Sequence, residues 1–262
     1  MEILDALLLG LIQGLTEFLP VSSSGHLEIG KALLGQTLIG KESLQFTVVV
    51  HFATALSTVF VYRKDVLTIL KKLTPLSNND ESRFTLGIII SLIPAGLIGF
   101  FFESHIETLF NGNIFLVGIA LIFTGLLLAF AHYKASGSKP VSPINAFFIG
   151  CAQAIAILPG ISRSGATIAT SLLLGIDKQK AARFSFLMVV PLIFGKIAKD
   201  MLSGDFFSQT PNLIPLTLGF IAAFFSGLWA CKFMIKLVAK NGLLIFAIYC
   251  VLIGALSIVL SL

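Results

Sequence analysis

Residues 13–26 read QGLTEFLPVSSSGH, and residues 153–167 read QAIAILPGISRSGAT. Each stretch begins in a short apolar arm, passes a proline, and enters a turn rich in serine and glycine. A second short apolar arm follows each turn. In both stretches polar side chains therefore interrupt sequence that is otherwise strongly hydrophobic.

The whole chain has the composition of an integral membrane protein. Of its 262 residues, 56% are hydrophobic and 12% are charged, and the mean hydropathy is +0.97. Soluble domains carry about 25% charged residues, so this chain could not cover its surface in water. The same figures exclude a disordered chain, a coiled coil and a disulfide scaffold. The net charge of +5 then indicates cytoplasmic loops rather than nucleic-acid binding.

Six stretches are long and apolar enough to cross a bilayer, which takes about 20 residues. They are residues 44–62, 84–102, 114–132, 184–201, 213–231 and 243–262. The arms around the two broken stretches are too short to span. They predict two helix–break–helix hairpins that enter and leave on one side, because irregular backbone at membrane depth needs protein or water around it.

Positive charge predicts the orientation. Of the 18 Lys and Arg residues, 13 lie after the first span, after the third, before the fourth and after the fifth. The positive-inside rule makes these stretches cytoplasmic. The scheme closes if the first hairpin is entered from outside and the second from the cytoplasm, with both termini outside.

The two broken stretches resemble each other at an offset of 140 residues, which superimposes Ser22 on Ser162 and Gly25 on Gly165. Residues 1–133 and 134–262 then form two repeats within one membrane domain, each with one re-entrant hairpin and three transmembrane helices. Because three is odd, the second repeat is inverted, as in many transporters. The predicted fold class is all-α, polytopic and inverted-repeat; the alternative is a chance likeness of two Ser/Gly-rich turns.

Residues 162–167 have the composition of an anion site. A Pro-Gly break precedes them and an apolar helix follows, and helix N-termini bind anions through their free N–H groups. Arg163 adds a planar fork that suits phosphate oxygens. A charge inside the membrane is costly, which makes Arg163 a candidate for a functional role. The alternative is that Ser162 caps the helix while Arg163 reaches the membrane interface.

The first break brings different chemistry. Glu17 lies four residues after Gln13, so both face one side of a helix turn. A carboxylate there needs a cation, a metal or a proton. With the serine turn and His26 it could perform nucleophilic or acid–base chemistry on a phosphate held by Arg163. The alternative for residues 22–24 is that they only satisfy the backbone of the turn.

The two motifs, together with AARFSFL at residues 181–187, resemble the BacA-type undecaprenyl-diphosphate phosphatases along nearly the whole chain. The resemblance implies a multi-pass enzyme of the bacterial inner membrane that converts undecaprenyl diphosphate to undecaprenyl phosphate and inorganic phosphate. This activity recycles the peptidoglycan lipid carrier and confers bacitracin resistance. It also implies a site open to the outer face, membrane-lipid contact, homodimers and stimulation by Mg²⁺ or Ca²⁺, with no organic cofactor and no nucleic-acid partner.

The resemblance also assigns residues. The catalytic set is Glu17, Ser23, His26 and Arg163; the phosphate-binding set is Ser22, Ser24, Ser162, Ser164 and Thr167; the supporting set is Gln13, Gly25, Gly160 and Gly165. Glu17 is the candidate metal ligand, and because the family motif allows Glu or Gln where this chain has Gln13, the chain supplies one carboxylate rather than two.

The mechanism that we expect makes Ser23 the nucleophile and His26 its base or acid, while Glu17 orients His26 or holds a cation. Direct attack by water, with Ser23 only a ligand, is the alternative. A flippase or transporter of undecaprenyl phosphate is the alternative function, because inverted repeats with broken helices also suit a carrier.

Overall fold

A computed structural model describes residues 2–34, 41–72, 79–110, 113–134, 137–202, 212–240 and 242–261. These residues form eleven helices. In chain order they are α1 (Ile3–Phe18), α2 (Ser23–Leu33), α3 (Lys41–Val61), α4 (Arg63–Lys72), α5 (Asp80–Phe110), α6 (Ile114–Lys134), α7 (Pro143–Ile155), α8 (Arg163–Leu173), α9 (Lys178–Leu202), α10 (Leu213–Ala239) and α11 (Leu244–Leu260).

The helices confirm a polytopic all-α membrane protein. Four of them, α5, α6, α9 and α10, are long and apolar enough to cross a membrane, and α3 counts as a fifth span if it is taken together with α4. The sixth predicted span forms α11, which is shorter. Its 17 residues rise about 26 Å, slightly less than the hydrocarbon thickness of about 30 Å.

The basic stretch after the first span is a helix, not the loop that the sequence predicts. α4 bends away from α3 by 77° and buries none of its residues. It carries four of the Lys and Arg residues, while Leu67 and Leu70 are exposed. Basic and apolar side chains on one short helix suit the interface between water and lipid.

Both broken stretches form pairs of short helices, as predicted. The arms have 16 and 11 residues in the first pair and 13 and 11 in the second, too short to span. α1 contacts α2, and α7 contacts α8. Each hairpin also packs against a long helix distant in the sequence, α1 against α10 and α7 against α5. The division of the chain at residue 133 stays a prediction.

Glycine brings α6 and α11 into backbone contact. A Cβ atom at Gly118 would lie 2.7 Å from the Gly254 carbonyl oxygen, and one at Gly254 would lie 2.6 Å from the Gly118 carbonyl oxygen. Such close approach between membrane helices requires small residues, because lipid supplies no hydrophobic drive for association. The last helix of each predicted repeat is thereby fixed against the other.

Candidate active site

The first break is a tight turn between α1 and α2. Ser22 has a φ of +69°, an uncommon backbone conformation for a residue other than glycine. Its Oγ accepts a hydrogen bond from the Gly25 N–H at 3.3 Å and lies 3.3 Å from Ser24 Oγ. The Ser22 side chain therefore satisfies an N–H group in the first turn of α2 while the strained backbone reverses the chain.

The second break repeats this hydrogen-bond pattern. Ser162 Oγ accepts from the Gly165 N–H at 3.1 Å and lies 3.3 Å from Ser164 Oγ. These contacts match those of the first break at the same offset of 140 residues. Gly160, with a φ of +92°, is required here, since a Cβ atom would lie 2.5 Å from the Val117 carbonyl oxygen.

The two breaks are in contact, and their charges form an ion pair. An Nη2 group of Arg163 on α8 forms an ion pair with Oε1 of Glu17 on α1. Beside it, Ser164 Oγ donates to the Leu19 carbonyl oxygen at 3.1 Å. Both charged side chains are shielded, with relative exposures of 7% for Glu17 and 14% for Arg163. The carboxylate on the first hairpin thus has the cation that its burial requires.

The second oxygen of Glu17 holds the serine. Oε2 accepts from Ser23 Oγ at 2.7 Å and from Gln13 Nε2 at 3.0 Å, and His51 Nε2 lies 4.0 Å away. The contact with Gln13 is the one that their four-residue spacing predicts. A hydroxyl that donates to a carboxylate is the arrangement of a nucleophile with its base.

His26 has partners other than Glu17. Its Nδ1 lies 2.8 Å from the Ser22 carbonyl oxygen, and its Nε2 lies 2.8 Å from the Tyr249 hydroxyl on α11. A carbonyl only accepts, so Nδ1 donates, and Nε2 of the neutral ring accepts from Tyr249. The expectation that Glu17 orients His26 is not met. The Glu17 carboxylate instead contacts Arg163, Ser23 and Gln13. The imidazole of His26 is held by Tyr249, whose ring stacks on it with 5.6 Å between the ring centroids.

Burial divides the predicted residues into two groups. The partly exposed group is Ser23, Ser24, His26 and Arg163, and the buried group is Gln13, Glu17, Ser22, Gly25, Gly160, Ser162, Ser164, Gly165 and Thr167. Hydroxyls of the buried group already form hydrogen bonds within the protein. Thr167 Oγ1, for example, bonds to the Arg163 carbonyl oxygen at 2.9 Å and to Ser185 Oγ at 2.6 Å. The geometry favours the exposed group for contact with a phosphate and the buried group for positioning.

The family is shown by comparison with known proteins. The family model "Bacitracin resistance protein BacA" matches residues 6–256. The chain belongs to the BacA family. Proteins named undecaprenyl-diphosphatase are similar to this BacA-family chain over its length. The one from Christiangramia forsetii is 59% identical and covers 100% of this chain and 99% of its own; the one from Bacteroides fragilis is 49% identical with the same coverages; that from Methanobrevibacter smithii is 37% identical and covers 97% and 96%.

Three residues of the site in this BacA-family chain escaped the sequence analysis. Ser185 on α9 accepts a hydrogen bond from Arg163 through its carbonyl oxygen, at 3.4 Å, and bonds to Thr167. Thr124 on α6 donates to the Gly160 carbonyl oxygen and accepts from the Ser162 N–H, both at 3.1 Å. Tyr249 holds His26. Each is a polar residue in an apolar span, and that position was the available sign of a functional role. The neighbouring sequence, however, does not indicate which distant residue it contacts.

A divalent cation would find oxygen ligands beside Glu17. Among the described residues, no group of three or more His, Cys, Asp and Glu side chains could hold a metal ion by itself. Within the described part of the chain, however, the buried Gln13 Oε1 has no hydrogen-bond partner. Mg²⁺ often binds through one or two protein ligands together with substrate phosphates. Glu17, Gln13 and Ser23 of this BacA-family chain fit such a partial set.

Proposed function

We propose that this chain hydrolyses undecaprenyl diphosphate to undecaprenyl phosphate and inorganic phosphate. The observation that carries the proposal is the Ser23 hydroxyl, which donates to Glu17 at 2.7 Å on a carboxylate that also pairs with Arg163. A nucleophile, its base and a phosphate-binding cation therefore adjoin one another. The names of the relatives support the choice of substrate.

In the proposed reaction, Ser23 Oγ attacks the terminal phosphorus and its proton passes to Glu17. The bond from phosphorus to the bridging oxygen breaks, which releases undecaprenyl phosphate and leaves phosphoserine. Water then attacks the phosphorus and the bond to Ser23 Oγ breaks, which releases inorganic phosphate. Ser23 Oγ takes back the proton from Glu17, and the proton lost by the water passes to His26 or to the phosphate. As Glu17 is neutralised by the proton, the Arg163 guanidinium becomes available to the phosphoryl oxygens, on which charge is spread in the transition state.

Ser24 and His26 complete the exposed side of the site. Ser24 lies beside the nucleophile and can donate to a phosphoryl oxygen. We assign to His26, whose Nε2 is bonded to Tyr249, the donation of a proton to the departing phosphate or the removal of one from the attacking water. Direct attack by water on the diphosphate, with Ser23 as a ligand, is the competing route.

We also propose that Mg²⁺ or Ca²⁺ stimulates the enzyme through Glu17, Gln13 and Ser23. A bound cation would neutralise part of the diphosphate charge. The prenyl tail would lie between helices in contact with lipid. In a bacterial inner membrane with the site open to the outer face, this activity would return the peptidoglycan lipid carrier to use and oppose bacitracin.

A carrier of undecaprenyl phosphate is the second candidate, and the contact between two broken helices favours it. The contact between Ser23 and Glu17 separates the two functions. A carrier needs a cation for the phosphate but has no use for a nucleophile paired with a base. Hydrolysis is therefore the function that these contacts support better.

The deciding experiment measures phosphate release from undecaprenyl diphosphate by the purified protein, with and without Mg²⁺ or Ca²⁺. Wild type is compared with Glu17→Gln and Arg163→Ala, and with Ser261→Ala as a control on an exposed hydroxyl at the end of α11. We expect both site variants to retain less than about a tenth of kcat/KM, a loss above 1.4 kcal/mol. Lipid binding without phosphate release under any ion would favour the carrier.

A further inference from the structure

A basic cavity lies outside the candidate active site, where α5, α7 and α9 begin. Its volume is about 690 Å³. Three cationic residues line it, Arg83, Lys180 and Arg183, against one acidic residue, Asp80. The rest of the wall is mostly apolar: Phe84, Leu86, Pro140, Val141, Ser142 and Pro143. A positively charged cavity with an apolar wall suits a ligand that has an anionic end and a hydrocarbon end.

Hydrogen bonds hold the loop that forms one wall. The Lys139 N–H donates to the Gly175 carbonyl oxygen at 3.1 Å, and the Asp177 N–H donates to the Lys139 carbonyl oxygen at 3.1 Å. Ser142 then caps α7 by accepting from the Asn145 N–H at 3.3 Å. This wall is therefore formed before any ligand arrives, which lowers the entropy cost of binding.

One cation of the cavity is fixed in place. The Arg183 guanidinium lies 4.5 Å from the centre of the Phe84 ring, and its Nε lies 2.7 Å from Asp65 Oδ1. Asp65 therefore neutralises part of the Arg183 charge, while Arg83 and Lys180 add two further cations to the wall of the cavity. Arg83 and Lys180 are exposed, so both can meet a ligand from outside.

The apolar wall continues onto the outer surface of α5. Leu86 in the wall is 49% exposed, and Ile89 and Ile93 are 54% and 51% exposed. Their spacing of three and four residues places them on one face of the helix. A span presents such a face to lipid, so a hydrocarbon chain can lie along it while its polar head occupies the cavity.

We propose that this cavity binds the phosphate headgroup of an anionic membrane lipid, with the acyl chain along Leu86, Ile89 and Ile93. Arg and Lys bind phosphate oxygens through charge-assisted hydrogen bonds. Basic pockets between membrane helices bind anionic lipid headgroups. Inorganic phosphate shares the headgroup chemistry, but it makes no use of the exposed apolar face.

The test measures lipid binding to the intact protein in detergent by native mass spectrometry and thermal stabilisation. The probes are phosphatidylglycerol, phosphatidylcholine and inorganic phosphate. The Arg83→Gln/Lys180→Gln variant is compared with Lys232→Gln/Lys236→Gln, which removes the same charge from exposed positions near the end of α10. We expect phosphatidylglycerol binding to weaken at least about tenfold in the first variant and to stay unchanged in the second.

Two further measurements sharpen the result. Lys180→Glu should weaken phosphatidylglycerol binding further, and Leu86→Ser should weaken binding of the lipid but not of inorganic phosphate. Equal binding by wild type and Arg83→Gln/Lys180→Gln would overturn the proposal. Stabilisation by inorganic phosphate equal to that by phosphatidylglycerol at the same concentration would also overturn it. Phosphate release measured in detergent alone should not change in either double variant, which separates this site from the proposed reaction.

Discussion

Glu17 and Arg163 lie 146 positions apart in the chain and form an ion pair that joins the two broken stretches. The pair serves two purposes at once. It gives each charge a partner, and it brings the carboxylate of one hairpin to the guanidinium of the other. Stability and chemistry therefore depend on the same contact and can be separated by substitution.

Arg163→Gln should destabilise the protein by about 3–5 kcal/mol, because Glu17 keeps a buried charge without a partner. The double variant Glu17→Gln/Arg163→Gln should recover most of that loss while both variants remain inactive. Thermal or denaturant unfolding in detergent, read beside phosphate release, checks this. If the single and the double variant were equally stable, Arg163 would not be the partner that stabilises the buried charge of Glu17.

Ser23 should carry the phosphoryl group during turnover. Rapid quenching with substrate labelled in its terminal phosphate is expected to leave label on the peptide that contains Ser23, and Ser23→Ala should abolish both the label and most of the activity. Ser24→Ala is the matched control, since it should keep the label. Full activity in Ser23→Ala would refute the covalent route.

Tyr249→Phe should lower kcat about fivefold to tenfold, because His26 Nε2 loses a hydrogen bond worth about 1 kcal/mol while the stacked ring stays. The pH dependence of kcat should shift as well, since the imidazole loses a polar neighbour. Tyr133→Phe, at an exposed position, provides the comparison. An unchanged pH profile in Tyr249→Phe would remove His26 from proton transfer.

Glycine-to-alanine substitutions should change the free energy of unfolding in opposite directions in different helices. Gly118→Ala places a methyl group 2.7 Å from the Gly254 carbonyl oxygen and should cost about 1–3 kcal/mol. Gly96→Ala and Gly195→Ala meet nothing within 4 Å and should stabilise by up to about 1 kcal/mol through helix propensity. Unfolding temperatures of the three variants decide the matter; a loss in all three would mean that close approach is not the cause.

Gln13→Glu should make turnover depend more steeply on a divalent cation. A second carboxylate beside Glu17 repels it, and a cation bound between them relieves that repulsion. Without added cation the rate should fall, and less Mg²⁺ should then give half the maximal stimulation. Phosphate release titrated with free Mg²⁺ measures both quantities, and an unaltered titration would place any cation elsewhere.

The sequence predicted what local composition controls. The long apolar runs became apolar helices, four of which are long enough to span by themselves. The interrupted runs at Pro20 and Pro159 became pairs of short helices, because helix length and backbone breaks depend on neighbouring residues. The prediction of a loop for the basic stretch after α3 was wrong, because charge alone does not distinguish a loop from an interfacial helix. The available signal for a helix was the placing of Leu67 and Leu70, three residues apart, between basic residues at both ends of the segment.

Pairings across the fold were harder to predict. The meeting of Glu17 with Arg163 could be expected, because both charges needed partners inside an apolar chain. The partner of His26 could not, because Tyr249 lies 223 positions away in a helix that is otherwise apolar. Ser185 and Thr124 were missed for the same reason: each makes two hydrogen bonds to residues that only the tertiary structure brings near.

The contact between the two hairpins also constrains the order of events during synthesis and membrane insertion. Glu17 leaves the ribosome 146 residues ahead of Arg163, which at about 5–20 residues per second is roughly 7–30 s. During that interval the carboxylate has no guanidinium to meet, and a lone charge in hydrocarbon is expensive. Until Arg163 is made, Glu17 therefore has to lie in polar surroundings or carry a proton. The ion pair that holds the two hairpins together can form only after the second hairpin has been synthesised.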